Sequence, residues 1–284
     1  MRHLLRYLGQ RLYTVWAVFW FIVPFVLIYP WQRYFSRRAG GGGVVHSLNR
    51  FWSTFSITMW GMPVEVVRES PGPHPRPCVY VANHGSYVDI MMLFKYIPGF
   101  LNMMGKDSLA RVPVWGPLFG RVYITVDRAS AVSRGRAMVA ARRSLAAGHS
   151  IAIFAEGRIS PTPGHELLPL LDGAFQLAIA AGVPLVPVAM PLNHMFMPDV
   201  EKDLRVRYHR LKIVFHPPIP TAGLTLADVP ALKARVAGQL RGDFLPEGAV
   251  KPGPSTWRRP RPAPAATVAP AASPIINPQP SSSL

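Results

Sequence analysis

The chain has a single cysteine, Cys78, in 284 residues. An intramolecular disulfide is therefore excluded, and nothing in the composition places the domain in an oxidising compartment. Within an apolar run, Cys78 reads as packing rather than as a nucleophile. Acidic residues are also scarce, with 14 Asp and Glu against 31 Lys and Arg and a formal net charge of +17. Self-repulsion on that scale is tolerated best beside an anionic surface, either nucleic acid or lipid headgroups. No helix-turn-helix, zinc-finger or ribonucleoprotein signature accompanies the arginines, so lipid is the expected partner and nucleic acid is not. Metal-ligand spacing is lacking too: His3, His46, His74, His149, His165, His209 and His216 are scattered, and one cysteine is too few for a zinc site. No metal is expected.

What the chain does have is an uncharged run over residues 12–31, bounded by Arg2, Arg6 and Arg11 on one side and Arg33, Arg37 and Arg38 on the other. It is long enough to cross a bilayer. No small-residue cleavage pattern follows, which disfavours a signal peptide. Basic flanks at both ends fit poorly with a simple span, because positive flanks prefer the cytoplasmic side. Pro24 in the middle predicts a kink, so a re-entrant anchor with both ends on one face is the expectation. After the glycines at 40–43, Leu48, Phe51, Trp52, Phe55 and Met59 recur at helical spacing, with Asn49, Arg50, Ser53 and Ser56 elsewhere. This amphipathic helix either packs its stripe on the domain or lies in the headgroup layer.

The segment Asn83-His84-Gly85-Ser86-Tyr87-Val88-Asp89 follows a short apolar run at 78–82 that reads as a buried strand. On a regular helix, positions five apart point about 140° away from each other and cannot cooperate. A strand-to-helix turn removes that obstacle and lets Asp89 hold the His84 imidazole in one tautomer, as a general base with its orienting carboxylate. Ser86-x-x-Asp89 also matches a capping box, in which Asp89 merely supports a helix start. His194 is a weaker candidate for a second base.

This H-x-x-x-x-D pattern after an apolar strand resembles the first signature of the glycerolipid acyltransferase family, which includes bacterial 1-acylglycerol-3-phosphate acyltransferases. Three further blocks follow in family order. Lys106, Pro113, Gly116 and the run 120–128, ending Asp127-Arg128, resemble the second; Phe154-Ala155-Glu156-Gly157 resembles the family's F-P-E-G; and 183–191, with Pro184, Pro187 and Pro191, resembles its apolar proline-rich run. Two departures stand out: Ala155 replaces the usual proline, and Glu156-Gly157-Arg158-Ile159-Ser160 moves the arginine by one position relative to E-G-T-R-S. The latter resembles the E-G-R-I-[ST] variant of members that are fused to acyl-carrier-protein ligases and act on lysophosphatidylethanolamine.

The resemblance implies an O-acyltransferase that uses acyl-CoA or acyl-carrier protein as co-substrate and needs no other cofactor. A lysophospholipid is the acceptor, most simply 1-acylglycerol-3-phosphate giving phosphatidic acid; another lysophospholipid, an acyl-amino-acid lipid, or a non-catalytic membrane adaptor are the alternatives. His84 and Asp89 would be catalytic; Arg128, Glu156, Gly157 and Arg158 would bind the acceptor's glycerol phosphate, with Lys106 adding positive charge. On the residues alone, Arg128 pairing with Asp127 and Glu156-Gly157 forming only a turn remain open. Backbone N–H groups beside His84 or Gly157 are the candidates for holding the oxyanion.

Strands at 79–82, 122–126, 150–154 and 185–190 alternate with helices at 90–96, 132–147 and 174–181. This predicts an α/β layered fold with a mostly parallel sheet and catalytic groups at strand ends, preceded by a membrane-associated helical pair. Three parts are expected: a membrane-anchoring helical segment at 1–62, a catalytic domain at 63–245 on the cytoplasmic face, and a disordered Pro/Ala/Ser-rich tail at 246–284.

Overall fold

A computed structural model describes residues 2–164, 166–197 and 205–244. The tail expected at 246–284 lies outside the described residues. The chain begins with two helices, α1 (Arg2–Phe35) and α2 (Gly42–Met59), and then enters an α/β domain. That domain runs β1 (Val64–Arg68), β2 (Val79–Ala82), α3 (Val88–Tyr96), β3 (Leu101–Lys106), α4 (Trp115–Val122), β4 (Ile124–Val126) and α5 (Ala131–Ala146). It continues β5 (Ser150–Phe154), α6 (Gly173–Ala181), β6 (Leu185–Ala189), α7 (Asn193–Phe196), β7 (Leu211–Phe215) and α8 (Val229–Gly242).

Seven strands form one sheet in the order β1-β7-β6-β2-β5-β3-β4. Pairing is parallel throughout except between β6 and β7. The mostly parallel α/β sheet expected from the alternation is therefore present. Its central strands are apolar on both faces, as burial between two layers requires. In β2, Tyr80 and Ala82 pack with α2 and α3 residues such as Trp52, Ile57, Met91 and Leu93, whereas Val79 and Val81 face α5, α6 and α8 through Ala141, Phe175 and Leu232.

Strand 122–126 starts only at Ile124, because Trp115, Leu118, Phe119 and Val122 repeat at helical spacing and form α4 instead. Pro187 occupies an interior position of β6, where a missing N–H is normally costly. The ladder explains it. β6 pairs Val188 with Phe215, but the next bridge joins Leu185 to Ile219, so two residues oppose three in a bulge at Pro187.

The N-terminal pair differs from expectation in two respects. α1 runs unbroken through Pro24 and Pro30, about 50 Å at ~1.5 Å per residue, so the reversal expected at Pro24 is absent and the chain turns after Phe35. Pro24 cannot donate to the Trp20 carbonyl, and Ser56 Oγ donates to that carbonyl instead at 2.8 Å. The second difference lies in α2, whose buried face carries Asn49, Ser53 and Ser56 while Phe51 stays exposed. The helix packs on both α1 and α3, and two of these polar side chains, Asn49 and Ser56, are buried with hydrogen-bond partners. Gln32 donates to Asn49 at 2.7 Å and Asn49 donates to the Tyr123 hydroxyl at 2.8 Å. Three indoles add to the clamp: Trp16 donates to the Met59 carbonyl, Trp52 to Phe21 and Trp60 to Ala17, at 2.8–2.9 Å. Among the described residues one helix, α1, is long and apolar enough to cross a membrane, and only 17% of its most apolar stretch is buried.

The bulge throws His216 between two carboxylates, with Nδ1 2.8 Å from Glu69 and Nε2 2.8 Å from Asp243 at the end of α8. Burial alone would lower its pKa, but hydrogen bonding and charge from Asp243, then Glu69, outweigh that and raise it. A raised folded-state pKa stabilises the protein fully below the unfolded value of about 6.5, and that contribution is lost as pH rises through the folded value. In detergent, the melting temperature of wild type relative to His216→Gln is expected to be highest between about pH 5 and 6.5 and to fall as pH rises further. A difference that grows with pH would contradict this.

Candidate active site

Four neighbouring parallel strands, β2, β5, β3 and β4, end on one side of the sheet, and the residues singled out by sequence follow them. His84 follows β2, Glu156 and Gly157 follow β5, Lys106 ends β3, and Arg128 follows β4. Functional groups collect at such strand ends because the loops there are free to vary while the sheet fixes their roots.

The turn after β2 is held from both sides. Asn83, buried, donates to the Met190 carbonyl at 3.2 Å and accepts from the Met190 N–H at 2.7 Å, tying the turn to the end of β6. One residue on, His84 Nδ1 lies 3.0 Å from Asp89 Oδ2. The same oxygen accepts the backbone N–H groups of Gly85 and Ser86, each at 2.8 Å. Asp89 thus both supports the start of α3 and contacts the imidazole. The carboxylate is fully buried in the first turn of α3, where the positive end of the helix favours its charge. A carboxylate accepting at Nδ1 favours the tautomer with its proton there and leaves Nε2 without one. The ring stacks on Phe154, with centroids 3.8 Å apart and planes 12° off parallel.

Glu156 does something its motif does not announce. One carboxylate oxygen accepts the His84 N–H at 2.7 Å and the other accepts the Leu168 N–H at 2.9 Å. Burial raises its pKa, opposed by those two backbone donors. A carboxylate occupied in this way positions the His84 backbone and the loop at 160–168, which also docks through Ser160 N–H on the His84 carbonyl at 2.9 Å. Ala155 takes part as well. Its N–H donates to the Ala82 carbonyl at 3.1 Å, a bond that the family's proline could not make.

Gly157 has φ +75°, and a Cβ there would meet Leu171 at 2.7 Å and the Arg128 guanidinium at 3.4 Å. Arg128 therefore reaches from the end of β4 across to the turn after β5. Lys106 and Arg158 are exposed near the same edge. The cavity beside the imidazole is walled by Asn83, His84, Glu156, Ser160, Gly164 and His194. His194 thus shares the His84 cavity, with Gly164 (φ +82°) so close that a Cβ would strike its ring. The oxyanion donors expected beside His84 and at Gly157 are all engaged: His84 N–H with Glu156, Gly85 and Ser86 N–H with Asp89, and Gly157 N–H with the Phe154 carbonyl. Sequence reading named Asn83, Phe154 and Ser160 only as members of the recognised segments and gave them no role.

Fold and site together define an acyltransferase domain, and a family model described as Acyltransferase matches residues 63–191. The chain is 31% identical over 210 residues to human 1-acyl-sn-glycerol-3-phosphate acyltransferase beta, covering 72% of this chain and 74% of that one. It is 33% identical over 189 residues to the human alpha enzyme, of whose length it spans 62%. The crystal structure of the 1-acyl-sn-glycerophosphate acyltransferase PlsC from Thermotoga maritima shares the fold, with a TM-score of 0.66 over 84% of this chain and 96% of that one at 19% identity. The chain belongs to the glycerolipid acyltransferase family.

Glu156→Gln puts an NH₂ against one of two backbone donors. It is expected to destabilise the protein by about 1–3 kcal/mol, the cost of a buried unsatisfied group, and to lower acyl-transfer turnover. Unchanged unfolding together with a raised acceptor KM alone would instead show that Glu156 contacts the acceptor.

Proposed function

We propose that the protein is a membrane-associated O-acyltransferase that moves a fatty acyl group from an acyl thioester to the free hydroxyl of 1-acylglycerol-3-phosphate, giving phosphatidic acid. The observation that carries this reading is the His84–Asp89 pair at a cavity wall, with Nδ1 occupied by the buried carboxylate. Nε2 takes the proton of the acceptor hydroxyl as its oxygen attacks the thioester carbonyl. The tetrahedral intermediate expels the thiolate, and the imidazolium returns the proton to that sulfur. Asp89 stabilises the imidazolium while it exists. An acyl-enzyme is unnecessary, because the thioester is already activated.

Arg128 supports a phosphate-bearing acceptor. Its strand lies three strand spacings from β2, about 14 Å at ~4.8 Å each, yet its guanidinium folds back over Gly157, next to the residue that holds His84. A guanidinium fork suits phosphate oxygens, and Arg158 and Lys106 add positive charge to that edge. The names of the relatives point to the same acceptor. The donor is acyl-CoA or acyl-carrier protein. α1 supplies the membrane contact through exposed Leu4, Leu8, Leu12, Phe19, Ile22 and Leu27, with the catalytic domain on the cytoplasmic face. The chain divides into an anchoring segment at 1–62, a catalytic domain at 63–245 and a Pro/Ala/Ser-rich tail.

The test is acyl transfer in reconstituted vesicles from labelled acyl-CoA to a panel of 1-acylglycerol-3-phosphate, lysophosphatidylethanolamine and an acyl-amino-acid lipid. The phosphate acceptor is expected to be preferred, and His84→Ala is expected to lower turnover by roughly 10²–10⁴-fold. Equal transfer by wild type and His84→Ala would overturn the base assignment. Preference for lysophosphatidylethanolamine would assign acceptor choice to the shifted Arg158, and no transfer to any acceptor by folded protein would favour the adaptor reading.

A further inference from the structure

Asp89 Oδ2 carries three donors, but Oδ1 is served by a residue outside the recognised blocks. Asn193, fully buried at the first position of α7, donates from Nδ2 to Asp89 Oδ1 at 2.9 Å. Its own orientation is fixed from behind, because Lys212 N–H on β7 donates to Asn193 Oδ1 at 3.2 Å. Flipping the amide would set an NH₂ against that N–H and turn a carbonyl oxygen toward the carboxylate. Only one orientation satisfies both neighbours. The carboxylate plane of Asp89 is thereby tied to the register of β7.

Resting on the acyltransferase reading above, we propose that Asn193 is a positioning residue for the base. It holds Asp89 Oδ1 so that Oδ2 stays on His84 Nδ1, and it acts on the reaction only through that carboxylate. Without it, a fully buried anion keeps three donors on one oxygen and none on the other, and it rotates toward whatever donor remains. The imidazole follows its partner, and Nε2 leaves the line of attack.

Full-length wild type, Asp89→Asn, Asn193→Ala, Asn193→Asp and the double variant Asp89→Asn/Asn193→Ala are compared in vesicles with 1-acylglycerol-3-phosphate and acyl-CoA. Asn193→Ala is expected to lower kcat by roughly 10- to 100-fold, the scale of misplacing a reacting group by about 1 Å. The acceptor KM should stay within about twofold, since Asn193 makes no wall of the binding cavity. The double variant should be no slower than Asp89→Asn alone. Asn193→Asp sets two carboxylates together at high pH. On acidification the new side chain protonates and donates to Asp89 while still accepting from Lys212 N–H, so its kcat relative to wild type should rise as pH falls. Additive losses in the double variant, a change confined to KM, or an Asn193→Asp profile parallel to wild type would overturn the proposal. The low-field proton resonance of His84 Nδ1–H gives a readout independent of turnover. It is expected to shift or broaden in Asn193→Ala; an unchanged resonance in that folded variant overturns the positioning role. Should wild type transfer no acyl group, the reaction reading fails separately and this resonance still decides the role of Asn193.

Discussion

One buried carboxylate organises the site. Asp89 has no exposed surface, and an ionised carboxylate without partners at such a position would cost several kcal/mol. It is kept by four donors: the His84 ring, two successive backbone N–H groups and an asparagine amide from α7. Those donors come from the turn after β2 and from α7, so satisfying the charge fixes where both segments lie. The imidazole then has no freedom to choose its tautomer. The orientation of the His84 ring and the local folding rest on the same set of hydrogen bonds.

The constraint propagates through the second carboxylate. Glu156 takes the His84 N–H with one oxygen and Leu168 N–H with the other, so the strand end that carries His84 and the loop beside it are joined at one side chain. On the opposite face, the N-terminal helices meet the domain through α2 and α3. There the indoles and hydroxyls of one helix reach the carbonyls of the other, including the carbonyl that Pro24 leaves without its helical donor. A long apolar helix is therefore attached to the domain by specific bonds as well as by packing, which holds the site in a set relation to the surface that α1 presents.

Much of this was legible in the sequence. Alternating apolar runs gave the parallel sheet, and the ordered blocks located His84, Glu156 and Arg128 at strand ends and Asp89 in the first turn of the following helix. The helical period of residues 115–122 was available but was not read, and the strand was started at 122, two residues early, because the β-branched run there extends it. β1 and β7 escaped notice since Val64–Arg68 and Leu211–Phe215 are short, and charged residues flank or interrupt them. The buried face of α2 was misread for a physical reason: Asn49 and Ser56 look solvent-facing until the partners that satisfy them are placed. Asn193 is the clearest case of what one-dimensional pattern omits. An asparagine after a proline-rich strand carries no signal of its own, and its meaning depends on a carboxylate 104 residues earlier in the chain.

The most direct test of the central claim is where the proton sits on His84. Nitrogen-15 NMR of histidine-labelled protein in detergent, with the ring signals assigned by their loss in His84→Gln, reads this at a pH where the ring is neutral. The account predicts a protonated Nδ1 and an unprotonated Nε2. A proton found on Nε2, with Nδ1 bare toward Asp89, would contradict it.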